Sequence, residues 1–83
     1  MMVSVKVLTT PGCTGCAVVE RMLEKLKDEI PDLVWEEIDV VEHPEVLGRW
    51  PILTAPGVVI NDRLEFVGTP SEKALRERLL AAR

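Results

Sequence analysis

An amphipathic helix pattern that lies between two strand patterns is the strongest constraint on this fold. Residues 3–8 alternate with β-branched residues, which predicts a strand. After a break at residues 9–12, one helical face carries apolar residues at Val19, Met22, Leu23, Leu26 and Ile30. A second strand is predicted over residues 33–41, after Pro31 ends the helix. Because parallel strands need a helical crossover of this kind, the pattern predicts a parallel pair.

The opposite face of this first helix carries charged residues, and we expect it to be solvated. These residues are Glu20, Arg21, Glu24, Lys25, Lys27 and Asp28. Further along the chain, a short helix is predicted from residue 43 to about residue 50. Strands at residues 57–60 and 64–67 then form a hairpin. Asn61 and Asp62 make its turn, because both residue types tolerate positive φ.

The last helix is predicted to begin with a capping box. Thr69 would be its N-cap, Pro70 its first residue and Glu72 the acid that closes the box. Its apolar face carries Leu75, Leu79 and Ala82. The element order is therefore β-α-β-α-β-β-α. Burying all these apolar faces favours an α/β fold in a single domain over residues 1–83, with one four-stranded mixed sheet and helices on both faces.

Composition and charge exclude several classes of partner. The chain has 83 residues and a net charge of -4, and its basic residues are scattered among acidic ones, which argues against nucleic acid or an anionic membrane as a partner. No stretch approaches the about 20 apolar residues that a membrane span needs. The strand pattern starts at Val3, which leaves no room for a signal sequence. We therefore expect a cytoplasmic protein, where structural disulfides are disfavoured.

The chain's two cysteines, Cys13 and Cys16, lie at the predicted start of the first helix. Free N–H groups and the helix dipole at such a terminus favour a thiolate. Cys16 follows on the same helical face, where it can attack a mixed disulfide formed at Cys13. Between them, Gly15 adds no bulk over the pair and Thr14 can donate a hydrogen bond to a sulfur. The spacing therefore favours thiol–disulfide exchange.

The residues alone leave other interpretations of the pair open. A structural zinc site needs four ligands, and beyond the cysteines the chain offers only His43 and carboxylates. Two thiolates alone can hold a soft metal ion. A thiol-based metal carrier, or a dimer that bridges an iron–sulfur cluster, is therefore the alternative function. A further possibility is an interaction module whose thiols are incidental.

Taken together, the motifs of the chain resemble the thioredoxin/glutaredoxin superfamily, and in particular the small glutaredoxin-like thioredoxins of archaea and bacteria. The resemblance extends over about residues 3–80 and implies a thioredoxin fold. It rests on Thr9-Thr10-Pro11-Gly12, Cys13-Thr14-Gly15-Cys16, Glu37-Ile38-Asp39-Val40, Thr54-Ala55-Pro56 and, after the hairpin, Gly68.

The resemblance implies a dithiol–disulfide oxidoreductase. Cys13 would be the nucleophile and Cys16 the resolving thiol. Pro56 would be a cis-proline that faces them, and the backbone of Ala55 would pair with the substrate as an added strand. The other candidate substrate contacts are Thr14 and Gly15. The resemblance also implies no metal and no cofactor besides the disulfide, disulfide-containing proteins or small molecules as substrates, an upstream reductase or thiol, and a monomer.

The chain departs from both branches of the superfamily. Thioredoxins proper have Trp before the first cysteine, Gly-Pro between the two, and a buried acid in the preceding strand. Here Gly12 precedes the motif, Thr-Gly lies inside it, and Val7 stands at the position of the acid. Glutaredoxins bind glutathione through a Gly-Gly and an acid after the hairpin, where this chain has Gly-Thr-Pro-Ser at residues 68–71. The reductant, a flavoprotein reductase or glutathione, therefore stays open.

Four residues outside the motif are expected to have structural roles. His43 is expected in a solvated turn. Asp39 is expected to end its strand and to face solvent or cap the next helix, and the alternative is a buried acid that tunes the thiols. Trp35 is expected to pack in the core or at a sheet edge, and Trp50 in the core.

Overall fold

The computed structural model describes residues 2–83 and has the predicted element order. The four strands β1 to β4 form one sheet in the order β2-β1-β3-β4. β2 is parallel to β1, whereas β3 is antiparallel to β1 and to β4, so the predicted mixed sheet is confirmed. The elements are β1 (Val3–Thr9), α1 (Thr14–Glu29), β2 (Leu33–Asp39), a 3-10 helix (Pro44–Gly48), β3 (Gly57–Ile60), β4 (Arg63–Val67) and α2 (Glu72–Ala81).

Both α-helices pack on the same face of the sheet. Alternate residues of β1 are buried there, together with the predicted apolar face of α1 and with Leu75 and Leu79 of α2. Full burial of one Leu or Ile side chain contributes about 1.5–3 kcal/mol relative to leaving it exposed. This packing, more than helix propensity, holds α1 against the sheet and so fixes the position of the cysteines at its start.

The 3-10 helix and the segment after it cover the opposite face. The second buried cluster consists of Leu8, Val40, Trp50 and Val59. The Trp50 indole N–H donates a hydrogen bond to the Asp62 carbonyl at 3.1 Å, and the Arg49 guanidinium lies 4.6 Å from the ring centroid. Trp50 is therefore a core residue, as predicted, and helical segments lie on both faces of the sheet.

The turn between β3 and β4 has the conformation that its residue types predict. Asn61 has φ 48° and Asp62 has φ 69°. The Asn61 side chain accepts a hydrogen bond from the Ser4 N–H at 3.0 Å and donates one to the Ala82 carbonyl at 3.1 Å. The turn therefore connects β1 and the end of α2 to the hairpin.

The predicted capping box of the last helix is wrong. Ser71, not Thr69, is the N-cap of α2, because the Ser71 hydroxyl accepts a hydrogen bond from the Ala74 N–H at 3.1 Å. Thr69 lies instead beside Gly15, in the loop that packs on the cysteine segment. The chain therefore enters the helix later than the pattern predicts.

β2 ends at Asp39, earlier than predicted, because the Asp39 side chain stabilises a turn. One carboxylate oxygen accepts hydrogen bonds from the N–H groups of Val41 at 2.8 Å and Glu42 at 3.4 Å. The capping role expected of Asp39 is thus observed, although it caps the turn that leads to the 3-10 helix.

Candidate active site

α1 begins at the cysteine pair because the chain turns sharply after β1. Gly12 has φ 75°, a conformation that favours glycine. Cys13 is the N-cap of α1, and its Sγ accepts a hydrogen bond from the Cys16 N–H at 3.1 Å. The first turn of α1 contains no acidic residue. The helix terminus is therefore free to stabilise negative charge on the Cys13 sulfur.

Cys13 and Cys16 are joined by a disulfide, with their Cα atoms 5.3 Å apart. Their access to solvent differs. Cys16 is only 3% exposed, whereas Cys13 is half-buried. A molecule that approaches the pair therefore meets Cys13 first.

The segment before β3 packs against the start of α1. Its Ala55–Pro56 peptide bond is cis, as the resemblance implies, and the Pro56 carbonyl accepts a hydrogen bond from the Gly68 N–H at 2.7 Å. A Cβ on Gly15 would lie 3.2 Å from Pro56 Cδ and 2.5 Å from Thr69 Oγ1. Glycine is thus needed at this position because Pro56 and Thr69 approach so closely.

The main chain of Ala55 is available for pairing. Over residues 2–83, neither its N–H nor its C=O takes part in a backbone–backbone hydrogen bond. Ala55 is half-buried, and its small side chain adds little bulk. Among the described residues, the Ala55 backbone thus has an unpaired donor and an unpaired acceptor next to Pro56, which approaches Gly15.

A cleft of about 480 Å³ lies on the β2 side of the cysteine pair. Residues 9–14, which include Thr14, form its rim together with Cys16 and Ala17. Three carboxyl side chains, of Glu20, Glu37 and Asp39, form the rest of the lining. Ala55 and Pro56 do not line it, so the predicted site residues lie on two sides of the disulfide.

Glu20 differs from its predicted location. The charge pattern places it on the solvated face of α1, but it is half-buried and lines the cleft. Burial, a hydrogen bond with Glu37 and the negative charge of Glu37 raise the pKa of Glu20 to about 7. Glu20 follows Cys16 at the i,i+4 spacing of helical neighbours, and this spacing is the signal that could have located it.

Three other residues that the sequence singles out do not line the cleft. Val7, at the position of the thioredoxin acid, is fully buried among apolar residues. His43 is exposed, with its Nδ1 3.5 Å from a carboxylate oxygen of Glu45, as expected for a solvated turn. Trp35 packs against the core, as predicted.

Two other features, a metal-binding cluster and a membrane-spanning helix, are absent from the described residues. Within residues 2–83, no group of three or more His, Cys, Asp or Glu side chains is arranged to hold a metal ion. No helix in the part of the chain that the structure describes is long and apolar enough to span a membrane.

Comparison with known sequences identifies the family. Residues 3–80 match the family model of the thioredoxin domain. Thioredoxin of Methanocaldococcus jannaschii is 36% identical over 78 residues, which covers 93% of this chain and 92% of the relative. A probable thioredoxin of Methanothermobacter thermautotrophicus is 30% identical over 80 residues, which covers 95% and 94% of the two chains.

Comparison with solved structures confirms the thioredoxin fold. Fasciola hepatica thioredoxin superposes with a TM-score of 0.79 at 22% identity, over 99% of this chain and 82% of that chain. The oxidized form of mitochondrial thioredoxin 3 from Saccharomyces cerevisiae gives a TM-score of 0.78 at 22% identity, over 95% and 77% of the two chains. From its sequence relatives, its fold and its cysteine pair, the chain belongs to the thioredoxin family of protein disulfide oxidoreductases.

Proposed function

We propose that the protein reduces or exchanges disulfides through a mixed disulfide at Cys13, which Cys16 then resolves. The unequal burial of the two cysteines is the observation that carries this proposal. Cys13 is accessible and caps the helix, where its thiolate is favoured. Cys16 is nearly inaccessible, but a resolving thiol has to reach only Cys13.

In the reducing direction, the reaction takes place in two steps. The Cys13 thiolate forms a bond with one sulfur of the substrate disulfide, and the other substrate sulfur leaves as a thiolate. The Cys16 thiol then loses its proton and attacks Cys13 Sγ. The remaining substrate sulfur leaves and takes up a proton. Two electrons have passed to the substrate, and Cys13 and Cys16 are left as a disulfide.

The substrate main chain is proposed to pair with Ala55. The support for this site is the unpaired backbone of Ala55 and its position in the segment that contacts Gly15 through Pro56. Thr14 lies at the rim of the cleft on the other side of the disulfide. Such a site suits an extended, disulfide-bearing protein segment, and a small-molecule disulfide can reach Cys13 without the pairing.

Each turnover leaves the cysteine pair oxidised, so an electron donor is required. We propose an upstream reductase or a low-molecular-weight thiol as this donor. In this scheme the cysteine pair is the only redox group that the protein uses, and no metal or other cofactor takes part.

Replacement of each cysteine by serine tests the roles of the pair. The reduced protein is mixed with dithiobis(nitrobenzoate), a disulfide that releases a coloured thiolate. We expect the wild type to release one equivalent when Cys13 attacks the reagent and a second when Cys16 resolves the adduct. Cys16→Ser should stop after the first equivalent, with the adduct visible by mass spectrometry. Rapid first release by Cys13→Ser would show that Cys13 is not the nucleophile.

A further inference from the structure

Cys16 has to lose a proton in a nearly closed environment. It is 3% exposed, and burial disfavours the charged thiolate that the resolving step needs. A substrate bound at Cys13 covers the exposed side of the pair. Resolution therefore benefits from a proton acceptor that belongs to the protein and lies on the inner side of the disulfide.

We propose that the carboxyl pair of Glu20 and Glu37 accepts the proton of Cys16 during resolution and returns it to the departing substrate thiolate. The inference rests on the proposed function, because it concerns the step in which Cys16 attacks Cys13.

The positions of the two carboxyl groups carry the inference. Glu20 follows Cys16 on α1 at i,i+4, so the two side chains are neighbours on one helical face. Glu37 lies on β2 opposite Val7 of β1, and its side chain meets that of Glu20. Both carboxyl groups line the same cleft as Cys16. The cleft is large enough to admit water, so one bridging water suffices for proton transfer between groups that do not touch.

The acidity of the pair suits this role. Desolvation, the hydrogen bond with Glu37 and the charge of Glu37 raise the pKa of Glu20 to about 7. Below that pH the pair holds a proton, and above it the pair is free to accept one. A group that exchanges its proton near neutral pH is the most effective general acid and base there.

The other charged groups near Glu20 fit the role less well. Asp39 lines the cleft, but one of its oxygens already accepts two backbone hydrogen bonds in the turn after β2. Arg21, Glu24 and Lys25 line a separate depression on the other side of Glu20. Residues 9–12, which complete the rim, contribute no acidic or basic side chain.

The proton transfer balances within the reaction. The Cys16 S–H bond breaks and its proton goes to the carboxylate pair. The Cys16–Cys13 bond forms as the bond between Cys13 and the substrate sulfur breaks. The substrate thiolate then takes the proton from the carboxyl group, so the pair ends in its initial state and no further reactant is needed.

Rapid mixing of reduced protein with dithiobis(nitrobenzoate) tests the inference, because the first release reports Cys13 and the second reports Cys16. In the wild type, the rate of the second release should rise with pH, with an apparent pKa of about 7. Glu20→Gln should lose this rise. Glu20→Gln/Glu37→Gln should slow the second release about tenfold or more near neutral pH, relative to the first release of the same variant. Glu24→Gln, on the same helix but outside the cleft, is the matched control and should resemble the wild type.

An unaltered or faster second release in the double variant would overturn the inference, because loss of negative charge alone favours the Cys16 thiolate. A wild-type circular dichroism spectrum shows that each variant is folded, and Glu20→Gln alone decides if the double variant does not fold. A wild type that lacks the second release would instead refute the proposed function, so the two failures can be distinguished.

Discussion

Gly15 is the residue through which the cysteine segment contacts the loops around Pro56 and Thr69. A Cβ at Gly15 would meet Thr69 Oγ1 at 2.5 Å and Pro56 Cδ at 3.2 Å. Overpacking costs about 1–3 kcal/mol, and alanine regains up to about 1 kcal/mol through its helix preference. We therefore expect Gly15→Ala to lower the free energy of unfolding of the oxidised protein by about 1–2 kcal/mol, measured by denaturant titration.

Thr69→Ala provides the control, because it removes the closest of these contacts. In the Thr69→Ala protein, the loss of unfolding free energy caused by Gly15→Ala should be smaller than in the wild type by at least about 0.5 kcal/mol. If the losses of unfolding free energy caused by the two substitutions simply add, the approach of Thr69 to Gly15 does not constrain the site.

At the residue scale, the sequence predicts roles that local chemistry determines. The position of Cys13 at a helix start and the positive φ of Asn61 depend on near neighbours in the chain. The roles of Glu20 and Thr69 depend on residues far away in the sequence. Glu20 meets Glu37, which lies on β2, and Thr69 lies beside Gly15, near the other end of the chain. A charge pattern along one helix cannot show which of its acids meets another strand.

The start of α2 is stabilised by a side-chain cap. Ser71 caps this helix through the Ala74 N–H. Replacing a capping serine by alanine typically costs about 1 kcal/mol, so Ser71→Ala should lower the free energy of unfolding by about that amount. Thr69→Ala should change it by less than about 0.5 kcal/mol, as for a surface residue without a cap role. The reverse order in denaturant titration would restore the capping box predicted from the sequence.

The elements that were predicted well are those whose periodicity is long or whose ends have a strong local signal. α1 has a full apolar face and is followed by Pro31, and β3 begins at Gly57 and ends at a turn. β2 was predicted too long because a side-chain bond of Asp39 turns the chain while the sequence remains apolar. In the short segment after it, the pattern indicates a helix but does not distinguish a 3-10 helix from an α-helix.

At the scale of the whole molecule, the sheet order brings two distant parts of the chain to one helix start. β3 pairs with β1, so the segment before β3 comes beside the cysteine segment that follows β1. β2 lies on the other side of β1 and brings Glu37 to the cleft. The helical crossover predicts the parallel pair of β1 and β2, and the turn predicts the hairpin of β3 and β4. The pairing of β1 with β3 has no local signal, and the family resemblance was needed to place Pro56 at the site.

The proposed activity requires that Cys13 and Cys16 form a reversible two-electron couple in one chain. The most direct test is a redox titration of purified, metal-free protein against defined thiol buffers, with free thiols counted after alkylation. We expect one transition in which both thiols disappear together. The ratio of the reduced to the oxidised form should change tenfold for every ~30 mV. A pair that resists oxidation, or that oxidises only into intermolecular dimers, would contradict it.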